Sequence, residues 1–361
     1  MPKAIFITPA EGKPGKVYYP LAVKDIPSPN PGPKDLVISL KTAALNHRDL
    51  FIRQHLYPAI SFDTPLLADG YGIVIAAGPE ASKSWIGKQV ILTPGRGWKN
   101  DPDGPESPKG YKILGGTSTF PLGTLQEVAL VDESEVEEAP AHLNPSEAAA
   151  LPLTGLTGWR VFVSKSGNAL PGRNILVTGI GGGVALNVLQ FAVAKGCNVY
   201  VTSGDQAKID KAKSLGAKGG VIYKIKNWEN DLKKLLPKDR PFIDAVIDGA
   251  GGDIIKRAGR VLKLGGVIAQ YGMTVSPKME WSMPAVLSNI ELKGSTMGSR
   301  QEFSEMIAFV NEHKIKPIVS RVVKGIDNIK DIDSLFDDMK NGTQFGKLVI
   351  EITGEQSSSK L

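Results

Sequence analysis

Apolar and polar positions along the 361-residue chain follow two periods, and the change from one to the other divides it. Over the first third, short apolar runs at 3–7, 35–41, 72–76, 89–92 and 125–131 stop at glycine and proline. Runs of this length bounded by turn residues predict strands, hence a β-rich module, with a small helical insert over 47–54. From Asn144, which caps a helix start ahead of Pro145, the spacing becomes helical and then alternates. A buried strand at 174–178 is followed by a glycine turn at 179–183. A helix with apolar Ala185, Val188, Leu189 and Ala192 leads to a second strand at 198–203. Helices at 206–215, 227–236 and 254–264 then interleave with strands at 220–223, 243–248, 266–271 and 290–295. Such alternation predicts an α/β fold with a doubly wound parallel sheet. A helix at 301–310, a strand, a helix at 329–340 and a strand at 346–352 close the chain, and the last strand is expected to rejoin the first domain.

Strand, glycine turn, helix and strand make a βαβ unit. Its turn presents backbone N–H groups at a helix N-terminus, where the macrodipole favours a phosphate. The spacing G-x-G-x-x-G fails, since Val184 stands at the third glycine position, but G-x-x-G-x-x-A through Gly179, Gly182 and Ala185 fits. A tight turn without a ligand is the alternative, and the βαβ context favours a dinucleotide held by Gly179, Gly182, Gly183 and Val184. NAD-binding units carry an acidic residue after the second strand to bind the ribose 2′-OH. Here the strand ends in the neutral Ser203, and Lys208 follows about one helical turn on, so NADPH/NADP is expected over NADH. Asp205 is expected to cap the next helix. Lys208 could equally belong to a solvated face with Lys211 and Lys213. Ligands of doubly wound sheets bind beyond the carboxyl ends of the strands, which places Tyr223, Gly249, Tyr271 and Gly272 among the expected cofactor contacts.

Composition narrows the picture further. A 42% hydrophobic content suits ordinary cores, and the net charge of +6 is spread along helices without interleaved aromatics, so nucleic-acid binding is not expected. No apolar run is long enough to span a bilayer and no secretory signal opens the chain, so an intracellular protein off the membrane is expected. The single Cys197 excludes an intramolecular disulfide and a cysteine-rich metal site. The chain ends in Ser359-Lys360-Leu361, the tripeptide read by the peroxisomal import receptor, so a peroxisomal location is expected, cytoplasmic otherwise. A Gly/Pro/Asp-rich loop at 94–123 is expected to be functional or mobile, with Trp98 and Tyr111 either capping a cleft or anchoring it.

Several segments recur in a fixed order: Ala44-Leu-Asn-His-Arg-Asp-Leu50, Ala68-Asp-Gly-Tyr-Gly-Ile-Val74, Gly123-Thr-Leu-Gln-Glu127, Ala149-Ala-Leu-Pro-Leu-Thr-Gly-Leu-Thr157, the glycine turn, Ser214-Leu-Gly-Ala217, Leu264-Gly-Gly266 and Phe345-Gly-Lys-Leu-Val349. Together they resemble the medium-chain dehydrogenase/reductase superfamily over nearly the whole chain. The resemblance implies a discontinuous GroES-like catalytic domain at 1–144 and 297–353, a Rossmann NADP-binding domain at 145–296, a tail at 354–361, and catalysis in the cleft between the domains. It also implies a homodimer through the Rossmann sheet edge, and adds Thr157 and Lys347 to the cofactor contacts. Zinc members hold a catalytic ion at positions that fall here on Asn46, Ala68 and Leu153, and a structural zinc in a lobe replaced by the cysteine-free loop at 94–123. The resemblance therefore points to the zinc-free, quinone oxidoreductase-like branch, which includes enoyl reductases, and no metal is expected.

The expected reaction is hydride transfer from NADPH to a quinone or to the β-carbon of an α,β-unsaturated carbonyl, an enone or enoyl thioester. Donors must then stabilise the oxygen and a proton must arrive. The segment 46–57 is the richest source: Asn46 is the first candidate donor, with Tyr57 and Arg53 after it, and Phe51 stands where such enzymes often carry a tyrosine. Asp49 is expected to pair with Arg53 on one helix face. His47, His55, His142 and His313 are expected to have no role, and the acidic run at 132–138 is expected to be a solvated connector. The alternative function is a non-catalytic NADPH-binding protein, redox-sensing or crystallin-like.

Overall fold

Asn174–Val177 is buried along its whole length, as befits a strand covered on both faces. In the computed structural model, which describes residues 1–352, it lies in a six-stranded sheet. The spatial order is Gly219–Ile222, Asn198–Ser203, Asn174–Val177, Ile243–Asp248, Leu262–Gln270 and Glu291–Gly294, and every adjacent pair is parallel. This is the doubly wound order, with its topological switch point between Asn174–Val177 and Ile243–Asp248. Val177 stands beside both Val201 and Ile247, and Asp248 beside Gln270, so the carboxyl ends share one edge. The expected helix at 254–264 is only Ile254–Ala258, and the next strand begins at Leu262. The Gly265–Gly266 pair falls within an irregularity of that strand, between the partners of Ile243 and Ala245.

Compactness places this sheet in one unit, Thr154–Gly298; the other comprises Met1–Leu153 with the segment from Ser299. The sequence boundary at 145 precedes the spatial one, because Thr42 Oγ1 donates to the Pro145 carbonyl at 2.7 Å and the Leu153 N–H bonds to Asp69 at 2.7 Å. The first unit is built on a seven-stranded sheet ordered Val319–Lys324, Lys347–Glu351, Asp35–Ala44, Asp69–Ala77, Gln89–Leu92 and Val136–Glu138, with Val128–Asp132 also on Asp35–Ala44. As expected, the last strand returns here: Lys347–Glu351 runs antiparallel to Asp35–Ala44, with Val349 opposite Ala44. That pairing brings Lys347 beside the start of the helix His47–Arg53.

The loop at 94–123 is held by its own side chains. The Glu106 carboxylate accepts the N–H groups of Asn100, Lys99 and Asp101 at 2.7, 2.7 and 2.8 Å, which lowers its pKa to about 2. Trp98 is buried edge-on to Tyr111 and donates its indole N–H to Asp101 at 2.7 Å, so this aromatic pair anchors the loop. The acidic run is not simply a solvated connector: Val136–Glu138 is a strand on Gln89–Leu92, Glu135 lies 3.4 Å from Arg96, and Glu137 pairs with Arg300 at 2.6 Å. No helix among the described residues is long and apolar enough to cross a membrane.

Candidate active site

In the unit Thr154–Gly298, the glycine turn adopts a backbone that side chains resist: φ is 62° at Gly179 and 132° at Gly181. A Cβ on Gly179 would meet nothing within 4 Å, and one on Gly182 would meet only the Gly179 carbonyl oxygen at 4.0 Å. The turn is therefore open where a ligand must approach the main chain. Gly182 caps the helix Gly183–Ala194, so the first-turn N–H groups of Gly183 and Val184 have no acceptor within the helix. A pyrophosphate fits this chemistry. Thr157 is buried in the same unit and donates its hydroxyl to Met297 Sδ at 3.6 Å.

At the end of Asn198–Ser203, the buried Ser203 Oγ accepts the Asp205 N–H at 3.1 Å. Asp205 in turn accepts the Ala207 N–H at 2.9 Å, capping Gln206–Ser214 as expected and leaving a neutral hydroxyl at the strand end. Lys208 is half-buried, and desolvation lowers its pKa. The sequence reading missed a second cation. A Cβ on Gly204 would come 2.9 Å from the Tyr223 hydroxyl and 3.2 Å from Lys224 Nζ, so both converge on this strand end. Neither group makes a hydrogen bond or ion pair among the described residues. The signal lay in the register: in a parallel sheet Ser203 stands opposite Ile222, which places residues 223 and 224 beside it.

Further along the same edge, a Cβ on Gly249 would come 2.5 Å from the Tyr271 ring, and one on Gly272 would come 3.1 Å from the Gly249 carbonyl oxygen. These glycines let the ring lie against the main chain. Asp248, which forms the rim with them, is fully engaged. It accepts the Thr178 hydroxyl, the Gly251 N–H at 2.7 Å and Gln270 Nε2 at 2.6 Å.

In the other unit, a buried polar cluster surrounds the first turn of His47–Arg53. Asp69 has no exposure; its Oδ2 accepts Asn46 Nδ2 at 2.9 Å and Lys347 Nζ at 2.7 Å, and its Oδ1 accepts the Leu153 N–H at 2.7 Å. Lys347 Nζ also donates to Asn46 Oδ1 at 2.6 Å. Asp49 accepts the Asn46 N–H at 2.8 Å and Arg48 Nη1 at 3.2 Å, and burial pushes its carboxyl up to about 6.

These contacts show how each expected residue is held, and they correct one pairing. Asn46 has both ends of its amide engaged, and one N–H is left over as a donor. Lys347 is held by Asp69 and Asn46 inside its own unit. Asp49 does not pair with Arg53: Arg53 pairs with Asp333 at 2.6 Å, donates to the Tyr19 carbonyl at 2.9 Å and stacks between Tyr18 and Phe336 at 4.1 and 4.6 Å. That is a structural assignment for Arg53. Tyr57 is partly buried with its ring 4.7 Å from the Arg48 guanidinium, and its hydroxyl has no partner among the described residues. Phe51 packs on His47 at 4.7 Å, His55 meets the Tyr19 hydroxyl, and His142 Nε2 lies 2.9 Å from the Ile315 carbonyl. Asp69 was not singled out in the sequence, although it sits inside the matching segment beginning at Ala68. A groove of about 860 Å³ in this unit, with Tyr71, Ile73, Lys316 and Val319 among its lining residues, contains none of the candidate residues.

Two family profiles match the chain: alcohol dehydrogenase GroES-like domain over residues 32–141 and zinc-binding dehydrogenase over 183–312. A zinc-type alcohol dehydrogenase-like protein (YogA) of Leptosphaeria maculans is 54% identical, with 98% of this chain and 100% of the relative covered. An acryloyl-coenzyme A reductase of Metallosphaera sedula is 25% identical over 91% and 95%. A crystal structure of an NAD-dependent alcohol dehydrogenase superposes with a TM-score of 0.84 at 30% identity, over 98% of this chain and 100% of that one.

The names imply zinc, but the residues do not fit it. Zinc needs several N, O or S donors with free lone pairs. Ala68 and Leu153 offer no side-chain donor, Asn46 Oδ1 already accepts Lys347, and an ammonium 2.7 Å from Asp69 repels a second cation. No three His, Cys, Asp or Glu side chains gather as a metal set among the described residues. From the two matched profiles, the close relative and the superposed fold, the chain is an oxidoreductase of the medium-chain dehydrogenase/reductase superfamily.

Proposed function

We propose that the protein transfers a hydride from NADPH to a quinone or an α,β-unsaturated carbonyl, an enone or enoyl thioester, without zinc. The observation that carries this is the Asp69 cluster, which is filled by an ammonium, an amide and a main-chain N–H where zinc relatives need empty ligand lone pairs. Simple alcohols and aldehydes depend on a Lewis acid to carry charge at oxygen, whereas a conjugated acceptor delocalises it. The likeness to an acryloyl-coenzyme A reductase supports the same class.

When bound, NADPH supplies the hydride. The main-chain N–H groups of Gly183 and Val184, beside the capping Gly182, would bind its pyrophosphate, and Ser203, Tyr223, Lys224 and Lys208 would take the 2′-phosphate. Gly249, Tyr271 and Gly272 form the edge beyond the switch point, and Thr157 lies in the helix before the glycine turn. The Tyr57 hydroxyl or water would deliver the proton.

Stopped-flow oxidation of NADPH against quinones, enones and enoyl thioesters, together with metal analysis, tests the reading. We expect turnover with at least one class and no stoichiometric zinc. Tight NADPH binding with no acceptor would favour the redox-sensing or crystallin-like role, and unit zinc occupancy would overturn the branch. We also propose a peroxisomal address and a homodimer. The address, Ser359–Leu361, lies outside the described residues. The dimer rests on exposed Leu264, Met283, Leu287 and Leu292 around the unpaired edge of Glu291–Gly294.

A further inference from the structure

We propose that the Lys347 ammonium is the electrophile of the reaction, donating its third N–H to the carbonyl oxygen of the acceptor. This rests on the reductive reading above and names the group that carries its developing charge. Lysine has three donors. Two are used, at 2.7 Å to Asp69 and 2.6 Å to Asn46, and the third has no partner among the described residues although Lys347 is 4% exposed. A buried unused donor calls for an occupant.

The cluster also holds that ammonium in place. Asp69 spends Oδ1 on the Leu153 N–H and Oδ2 on Lys347 and Asn46, while the Asn46 N–H is fixed by Asp49. Lys347 itself opens a strand paired along Asp35–Ala44. The three positions that carry zinc ligands in relatives, read here as Asn46, Ala68 and Leu153, therefore gather around a carboxylate holding a cation made of protein. Asp69 and Asn46 are positioning residues for it. A donor fixed before the reaction needs no reorganisation as charge develops.

The balance is simple. Hydride forms a C–H bond at the β-carbon, the alkene π pair shifts, and the carbonyl π pair moves onto oxygen, where the ammonium N–H meets the enolate. A proton from Tyr57 or water then closes the α-carbon, and the nicotinamide leaves oxidised by two electrons.

Lys347→Met alone would strand a buried carboxylate, so it is also made with Asp69→Asn; Lys347→Arg keeps the charge. NADPH affinity and thermal unfolding are measured for each. With an enone, both Met variants should lose about 100-fold in hydride-transfer rate, the size expected for one oxyanion donor, and Arg should lose less. A strongly electrophilic quinone should lose less than the enone. By infrared difference, the C=O stretch of an enone bound to the NADP form should lie at lower frequency in wild type than in the Met variants. An enone loss below about threefold, or equal losses for both acceptors with an unchanged C=O frequency, would overturn the proposal and leave the third N–H to a water. If wild type itself oxidises no NADPH with any acceptor, the reductive reading fails, and the C=O frequency still decides on Lys347.

Discussion

Cofactor choice can be tested where the structure shows its parts. Ser203 Oγ accepts the Asp205 N–H at 3.1 Å, so Ser203→Asp keeps an acceptor there while adding a charge at the strand end. The Tyr223 hydroxyl and Lys224 Nζ stand 2.9 and 3.2 Å from the missing Cβ of Gly204. A phosphate they hold would lie roughly 6 Å from a carboxylate at 203, where two unit charges at an effective dielectric of about 20 repel by about 3 kcal/mol. That is about a 100-fold loss in NADPH affinity, with NADH unchanged or improved. Lys224→Ala removes one charge-assisted bond; because Lys224 is exposed, its effect is smaller, about 5- to 10-fold, and shrinks with salt. The assay is a fluorescence titration of each variant with NADPH and NADH at two salt concentrations, with Lys208→Ala beside them. A ratio of the two affinities that stays within about twofold of wild type in both variants would refute this placement of the adenosine end. If Lys208→Ala alone changes the ratio, the cation is Lys208, as the sequence suggested.

Three other outcomes are expected. Asp69→Ala leaves a buried ammonium, an amide and a main-chain N–H without their acceptor, which should cost about 3–5 kcal/mol and lower the melting temperature by roughly 10 °C. A calorimetric shift of only about 2 °C would show the cluster to be loosely coupled to folding. Asp49 has its carboxyl raised by burial from 3.8 to about 6, so the folded state binds its proton more tightly than the unfolded chain. Stability from this group is complete below pH 4 and falls as pH climbs toward 6, by on the order of 2 kcal/mol. Asp49→Asn removes that slope, so the melting temperature of wild type minus variant should fall between pH 4 and 7; a flat difference contradicts the burial argument. Deleting Ser359–Leu361 from a tagged protein should move it from punctate peroxisomal staining to the cytosol, and unchanged staining would refute the address.

The doubly wound sheet was legible because its signals are local. A buried four-residue strand, a glycine turn and an apolar helix each declare themselves within a dozen positions, and parallel pairing follows from their alternation. What stayed hidden was set by distant partners. The loop at 94–123 has no period, and nothing in its composition shows that Glu106 gathers three main-chain N–H groups. Ile254–Ala258 ends at Gly259, and the strand that begins at Leu262 takes in the later glycine pair, which no window over the helix reveals. Lys224 follows Tyr223 in sequence, but only register brings it beside Ser203.

The candidate active site divides along the same line. Motif spacing could say what Asn46, Ala68 and Leu153 are not, since none makes a zinc ligand set, but it gave no partner for Asp69. That partner, Lys347, is 278 positions away and arrives only because the last strand pairs with Asp35–Ala44. Energetics then decides how to read the pair. Removing one member of a buried ion pair is costly, yet the intact pair gains little over an apolar pair of the same volume. Stability alone therefore gives no reason to bury Asp69 and Lys347 together, where leucine and methionine would hold the sheet to the helix as well. The pair does what an apolar contact cannot: with Asn46 it fixes the direction of a positive N–H and leaves one donor over. A metal-free reductase needs that property at the oxygen of its acceptor, and a rate that ignores Lys347 would show that the pair answers some other need.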